Sequence, residues 1–281
     1  MPRTSQQIGS DRALATSKGL QTNTVLTISD AESNRPADIE TPSLAEALNT
    51  NSSLTILNLQ GYKIGPNEAQ VLAEGLKTNS TLTTLNLTGN SFGDNGTMDQ
   101  ALSEALTTNT TLTSLDLYRN SIGDDGAQAL SKALKTNSTL TDLNLRANSI
   151  GDKGVQAFTE AIKTNSTLAT LNLEENLIGD NGAQALAEAL KANSTLTTLN
   201  LHNNSIGENG GVALAEALMF NSTLTTLNLD SNLIGDVGAW ALSKALSDSN
   251  LALTTLTLGN NSIGHNGAQA LEQVLLCQVA Y

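Results

Sequence analysis

Hydrophobic and polar positions recur along this chain with a fixed period. A leucine opens successive units at Leu26, Leu54, Leu82, Leu112, Leu140, Leu168, Leu196, Leu224 and Leu253, at spacings of 28, 28, 30, 28, 28, 28, 28 and 29 residues. The most regular unit reads NSTLATLNLEENLIGDNG over residues 165–182 and continues as AQALAEALK. Its first half has a period of two: leucines such as Leu143 and Leu145 share one face of a strand, and the residues between them share the other. In its second half the small and apolar residues fall at helical spacing, as along residues 127–135. The chain is therefore predicted to be a solenoid of strand–helix units.

One strand and one helix cannot bury their apolar faces alone, so stacking of units supplies the core. Parallel strands stack at about 4.8 Å and helices at roughly twice that, which bends the stack with its strands inside. Asn90, Asn120, Asn148, Asn176, Asn204, Asn232 and Asn261 recur just past the strands. They are expected to form a ladder that bonds backbone groups freed where each strand ends. Asp124, Asp152, Asp180 and Asp236 stand where a carboxylate can accept the free N–H groups of a helix start, and Lys77, Lys135, Lys163 and Lys191 stand at helix ends. Asn79, Asn137, Asn165 and Asn193 follow the helices and are expected to be left-handed caps.

The pattern L-x-x-L-x-L-x-x-N-x-I-G, carried by Leu140, Leu143, Leu145, Asn148, Ile150 and Gly151, resembles the leucine-rich repeat in its 28-residue ribonuclease-inhibitor type. That type also occurs in NOD-like innate receptors and the Ran GTPase-activating protein. The chain is similar, too, to leucine-rich repeat effectors that intracellular bacteria secrete into host cells. The resemblance implies an α/β horseshoe with a concave parallel β-sheet and convex α-helices. It also implies a non-enzymatic protein-binding role, in the host cytoplasm if the chain is an effector. Regulation of an enzyme, of the GTPase-activating or inhibitor type, and recognition within a larger receptor are the alternatives, because this fold hosts many roles.

Residues 1–9 are polar and read as a disordered tail, residues 10–53 as a degenerate N-terminal capping repeat, and residues 54–281 as eight repeats in one continuous domain. In the first full repeat Tyr62 takes the asparagine slot, where the ladder bond should be lost or replaced. The second carries two extra residues near Thr97–Met98, read as a longer loop before the helix. The chain ends apolar, VLLCQVAY over residues 274–281, with Leu276 in an exposed lysine slot. Three readings stay open: the helix folds over its own end, the end contacts a partner or a second copy, or the sequence stops short of the natural terminus.

Charge narrows the partners. With 14 Lys+Arg against 27 Asp+Glu, a net charge of −13 disfavours nucleic acid and anionic membranes. The single cysteine, Cys277, excludes an internal disulfide framework and fits a reducing, cytoplasmic compartment. The first residues hold no apolar core of a secretion signal and no stretch is long enough to insert in a membrane, so neither is expected. Asn-x-Ser/Thr sequons head every helix-to-strand junction from Asn51 through Asn79, Asn109, Asn137, Asn165 and Asn193 to Asn221, and read as by-products of the repeat.

Candidate chemistry dissolves into the repeat. Gly89–Gly93 matches G-x-S-x-G, but Asn90, Phe92 and Gly93 each fill an ordinary repeat slot. The Gly-Asp-x-Gly loops offer too few carboxylates for calcium. Two histidines, His202 and His265, and one cysteine write no metal cluster. No cofactor, metal or catalysis is expected.

Function should reside where the units differ. On the strand face opposite the leucines, Thr83, Thr113, Thr141, Thr197 and Thr225 form one uniform row and Asn86, Asn144, Asn172, Asn200 and Asn228 another, suited to bonding among themselves. The two slots after the second strand leucine vary: Gln60-Gly61, Thr88-Gly89, Tyr118-Arg119, Arg146-Ala147, Glu174-Glu175, His202-Asn203, Asp230-Ser231 and Gly259-Asn260. Asp116, Tyr118, Arg119, Asp142, Arg146, Glu174, Glu175, His202 and Asp230 are the candidate contact residues, tyrosine and arginine being types enriched at interface hot spots. A secondary apolar patch is expected on the helix side, from Met219, Phe220, Val237 and Trp240.

Overall fold

The structure, a computed structural model, describes residues 25–27, 48–61, 64–90, 92, 97–248 and 252–278. Among them, short strands alternate with helices: β1 (Val25–Thr27), β2 (Ile56–Asn58), α1 (Pro66–Thr78), β3 (Thr84–Asn86), α2 (Thr97–Thr108), β4 (Ser114–Asp116), α3 (Asp124–Leu134), β5 (Asp142–Asn144), α4 (Asp152–Thr164), β6 (Thr170–Asn172), α5 (Asp180–Leu190), β7 (Thr198–Asn200), α6 (Glu208–Leu218), β8 (Thr226–Asn228), α7 (Gly235–Asp248), β9 (Thr255–Thr257) and α8 (His265–Gln278). The nine strands form one parallel sheet in chain order. The central leucines Leu57, Leu85, Leu115, Leu143, Leu171, Leu199 and Leu227 pair strand to strand in register, and all are buried. One core runs unbroken from Leu48 to Leu253. The solenoid and its helix-on-sheet layering match the sequence reading.

The asparagine ladder forms as expected. Asn148 Nδ2 donates to the carbonyls of Leu117, Leu145 and Arg146 at 3.0, 2.9 and 3.2 Å. Its Oδ1 accepts the N–H groups of Asn120 and Ile122 at 3.1 and 2.9 Å. One side chain thus satisfies backbone groups of two units, in a buried place where an unpaired group costs about 1–3 kcal/mol. The threonine row also bonds internally, Thr113 Oγ1 to the Thr83 carbonyl and Thr141 Oγ1 to the Thr113 carbonyl.

Two expectations about helix ends are overturned. Asn165, after α4, is not left-handed but extended, at φ −71° and ψ 130°. Its side chain does the capping: Oδ1 accepts the N–H groups of Thr167 and Leu168, and Nδ2 donates to the carbonyls of Leu134 and Asn137 in the preceding unit. A carbonyl bonded from the next unit has no need of a left-handed turn. Similarly, Asp124 and Asp152 do not cap their own helices, whose preceding residues Gly123 and Gly151 make no side-chain cap bond. Asp124 Oδ1 accepts the N–H groups of Gly151 and Gly154, both at 2.8 Å, at the start of the following helix. Asp152, Asp180 and Asp236 repeat this one unit further on. Gly154 has to be glycine for this: a Cβ there would lie 2.7 Å from Asp124 Oδ1 and 2.8 Å from Ile150 Cγ2.

In the second repeat Thr97 and Met98 open α2 and do not belong to a loop; residues 93–96 lie outside the described residues. Tyr62, the 1–9 tail and most of the N-terminal capping unit lie outside the described residues. At the other end the chain is helical to Gln278, and the side chains that would decide the three readings of the apolar terminus lie outside the described residues.

Candidate protein-binding face

The inner face owes its variable positions to one backbone device. After each of β2 to β9 the second variable slot adopts a positive φ: Gly61 68°, Gly89 68°, Arg119 55°, Ala147 52°, Glu175 55°, Asn203 52°, Ser231 56° and Asn260 57°. This turn aims the slot's N–H at the first variable residue of the next unit, as from Arg119 to the Arg146 carbonyl, Ala147 to Glu174 and Glu175 to His202. Pairing between units therefore continues past the strands. The left-handed conformation costs an L residue about 1–2 kcal/mol, with glycine exempt and asparagine favoured. Glycine and asparagine hold the slot at Gly61, Gly89, Asn203 and Asn260, whereas Arg119 and Glu175 place long charged side chains there.

Those side chains meet their neighbours. The Arg119 and Arg146 guanidinium groups lie 5.0 and 5.2 Å from the centroid of the Tyr118 ring. Arg146 Nη2 lies 2.6 Å from Glu175 Oε1 and 3.3 Å from Glu174 Oε1. Glu174 Oε2 accepts a bond from Asn200 Nδ2 at 2.9 Å, and His202 Nε2 stands 4.0 Å from Glu174 Oε1. Asp116 Oδ1 accepts from Asn144 Nδ2 at 3.1 Å and from the Tyr118 N–H at 2.9 Å. The result is a connected strip across β4 to β7: Arg119, Tyr118, Arg146, Glu175, Glu174, His202. Its members are half-buried except Arg119, which is exposed. The Glu175 bond, aided by the charges of both glutamates, pushes the Arg146 pKa up against the opposing effect of burial.

Two candidates stand apart from the strip. Asp142 is exposed and accepts the Thr141 hydroxyl at 2.7 Å, and Asp230 accepts the Gly259 N–H at 2.6 Å. Cations also divide by face. Arg119 and Arg146 are on the inner face, whereas Lys77, Lys132, Lys135, Lys153, Lys163, Lys191 and Lys244 all sit on helices or at their ends. A planar guanidinium stacks on an aromatic ring and forks a carboxylate, neither of which an ammonium does well.

On the helix side, Met219, Phe220, Val237 and Trp240 are exposed, by 40, 71, 51 and 58%. Val237 and Trp240 belong to the first turns of α7, while Met219 and Phe220 follow the end of the neighbouring parallel α6. At 1.5 Å per residue this separates them by about 10 Å or more. Lys244 Nζ covers the Trp240 ring at 5.7 Å. The sequence reading missed Leu177 and Leu233, exposed by 65 and 57%. They occupy a slot held by serine at Ser121, Ser149, Ser205 and Ser262, and that departure was a legible signal.

Leucine-lined parallel strands, a recurring asparagine ladder and an outer row of helices define a repeat protein of the horseshoe class. The leucine-rich repeat family ("Leucine Rich repeat") matches residues 78–98, 108–131, 136–158, 164–187, 192–215, 220–243 and 249–271, over half of the chain, and the chain belongs to that family. Domains of this family are generally non-catalytic interaction modules. No curated protein matches the chain. Similar solved structures include leiomodin-1 actin-binding site 2, at 25% identity over 57% of this chain and 77% of that one, with a TM-score of 0.40. Another is the tropomodulin C-terminal domain of Caenorhabditis elegans, at 14% identity over 53% of this chain and 91% of that one, with a TM-score of 0.44. Among the described residues no helix is long and apolar enough to cross a membrane, and no cluster of three metal-ligating side chains occurs.

Proposed function

We propose that this chain is a non-enzymatic protein-binding module whose partner docks on the inner strip from Tyr118 to His202. The observation that carries the reading is the connected set of ring-stacking and ion-pair contacts that joins Arg119, Tyr118, Arg146, Glu175, Glu174 and His202 on the inner face. The same strip holds the two arginines of the described residues and their one tyrosine. Arginine and tyrosine are types that anchor interfaces, and the charges around them set specificity and encounter rate more than raw affinity.

The 28-residue period and the N-x-I-G turn support the ribonuclease-inhibitor type within the family. On that resemblance we read the partner as a host-cell protein in the cytoplasm, engaged by a secreted effector through steric occupation. The test is a pull-down from eukaryotic cytosol with the natural chain and with a variant carrying Tyr118→Ala, Arg119→Ala, Arg146→Ala, Glu174→Ala and Glu175→Ala, shown by circular dichroism to be folded. A protein retained by the first and lost by the second is the expected result. Equal retention by both would remove the inner strip from consideration.

A further inference from the structure

The junction asparagines carry an inference about modification. Asn51, Asn79, Asn109, Asn137, Asn165, Asn193 and Asn221 each head an Asn-x-Ser/Thr sequon, and each is only 4–7% exposed. From Asn79 onward the amide nitrogen to which a glycan would be joined is already in use, and that of Asn51 is buried without a partner. Asn109 Nδ2 donates to the carbonyls of Leu76 and Asn79 in the preceding unit, at 2.8 and 3.2 Å. Asn137, Asn165, Asn193 and Asn221 make the same pair of bonds. The amide oxygen accepts two N–H groups of its own turn, as at Thr111 and Leu112. Two of the sequon hydroxyls also bond between units, Thr81 Oγ1 donating to the Leu54 carbonyl and Thr195 Oγ1 to the Asn165 carbonyl, whereas Thr111 Oγ1 is buried without a partner. The sequon is therefore a consequence of how units are joined.

Transfer of a glycan makes a new bond from Nδ2 to a sugar carbon, with loss of one amide proton and departure of the lipid pyrophosphate donor. The remaining proton can serve one of the two carbonyls, and a bulky, hydrated sugar has no room between stacked units. Transfer acts on the unfolded chain, before burial protects these amides. We infer that the junction asparagines are latent acceptor sites whose modification is incompatible with the fold, so that the chain works only in a compartment without N-glycan transfer. Asn86, Asn95, Asn203 and Asn260 head sequons too; Asn95 lies outside the described residues, and the other three lie on the inner face, Asn86 half-buried and Asn203 and Asn260 exposed, away from the junctions.

The test expresses the full chain in eukaryotic cells, once in the cytosol and once behind a cleavable secretion signal. The cytosolic form should be unmodified and folded by circular dichroism. The signal-led form should show a ladder of bands that an N-glycan-removing amidase collapses, with soluble secreted protein reduced several-fold. A variant with Ser53, Thr81, Thr111, Thr139, Thr167, Thr195 and Thr223 each changed to Ala keeps the asparagines and removes the junction sequons, and its secretion should recover. Blocking synthesis of the lipid-linked sugar donor should rescue the natural chain equally, without any substitution. Secretion of natural chain that is glycosylated at the junctions and still folded, or folded and unmodified, would overturn the inference. So would failure of both rescues. Each of these outcomes is independent of whether the inner strip binds a partner.

Discussion

The inner face at β2–β3 and the inner face at β4–β6 share one backbone. Strand register, the positive φ of the second variable slot and the N–H bond from that slot to the next unit are the same in both. What differs is the chemistry above it: Gln60-Gly61 and Thr88-Gly89 in the first, Tyr118-Arg119, Arg146-Ala147 and Glu174-Glu175 in the second. The comparison shows that the scaffold does not depend on these side chains. Its stability is made underneath, by leucines, ladder asparagines and carboxylates that reach across to the next helix, and the upper surface is free to vary.

The sharpest way to break this contrast is to cut the shared scaffold. Asn148→Ala removes donors to three carbonyls and the acceptor for two N–H groups. A loss of about 3 kcal/mol or more is expected, as a lower denaturant midpoint in urea. Asp152→Ala uncaps the following helix, which it bonds at Gly179 and Gly182. The expected loss is about 1–2 kcal/mol, and amide exchange should accelerate first at those glycines.

Substitutions on the upper surface should be smaller and can run the other way. Arg119→Gly relieves the left-handed slot, so thermal unfolding should shift upward by an amount worth about 1 kcal/mol while partner retention falls. Gly89→Arg is the reverse transplant: a Cβ there finds open space, its one close neighbour being the Gly61 nitrogen at 4.0 Å. It should cost about 1 kcal/mol for the conformation alone and gain no binding. Glu175→Gly should be nearly neutral. The Arg146 pair is partly exposed, with 38 and 29% of the two side chains accessible, and such a pair contributes about 0–1 kcal/mol, offset by the relieved turn. If the last three shift stability as strongly as Asn148→Ala, recognition and scaffold are not separate.

The sequence shows clearly whatever repeats within a single unit. The solenoid, the leucine face, the ladder asparagines and the bonded threonine row all follow from periodicity and pleat. It hides which unit a helix-end side chain serves, because Asp124 precedes its own helix in the chain but overlies the next helix in space. Asn165 was misread for the same reason: the carbonyl it was expected to relieve by turning left is bonded by a side chain of the following unit, Asn193 Nδ2 donating to Ile162 in the same manner. The left-handed slots were within reach, since Gly61, Gly89, Asn203 and Asn260 in one column are the residue types such a conformation favours. The strip's adjacency, Tyr118 beside Arg119 and Arg146 with Glu174 and Glu175 following, was legible from register alone. Asn200 joining it through Glu174 was not, because that asparagine looks like every other member of its row.

Caps that cross from unit to unit also bear on how such a gene can change. The units of α3, α4 and α5 each carry half of two joints, an asparagine amide facing backward and a carboxylate facing forward, so any of these units can be followed by a copy of itself. Recombination between near-identical segments that adds or removes one full period leaves every joint complete, whereas a cut inside a period leaves two open. Duplicating a unit such as the one ending in Gly89 would lengthen the arc before the charged strip without altering it, and duplicating the Arg146 unit would double one of its cations. The same joints thus let the length of the horseshoe and the layout of its contact surface be inherited separately.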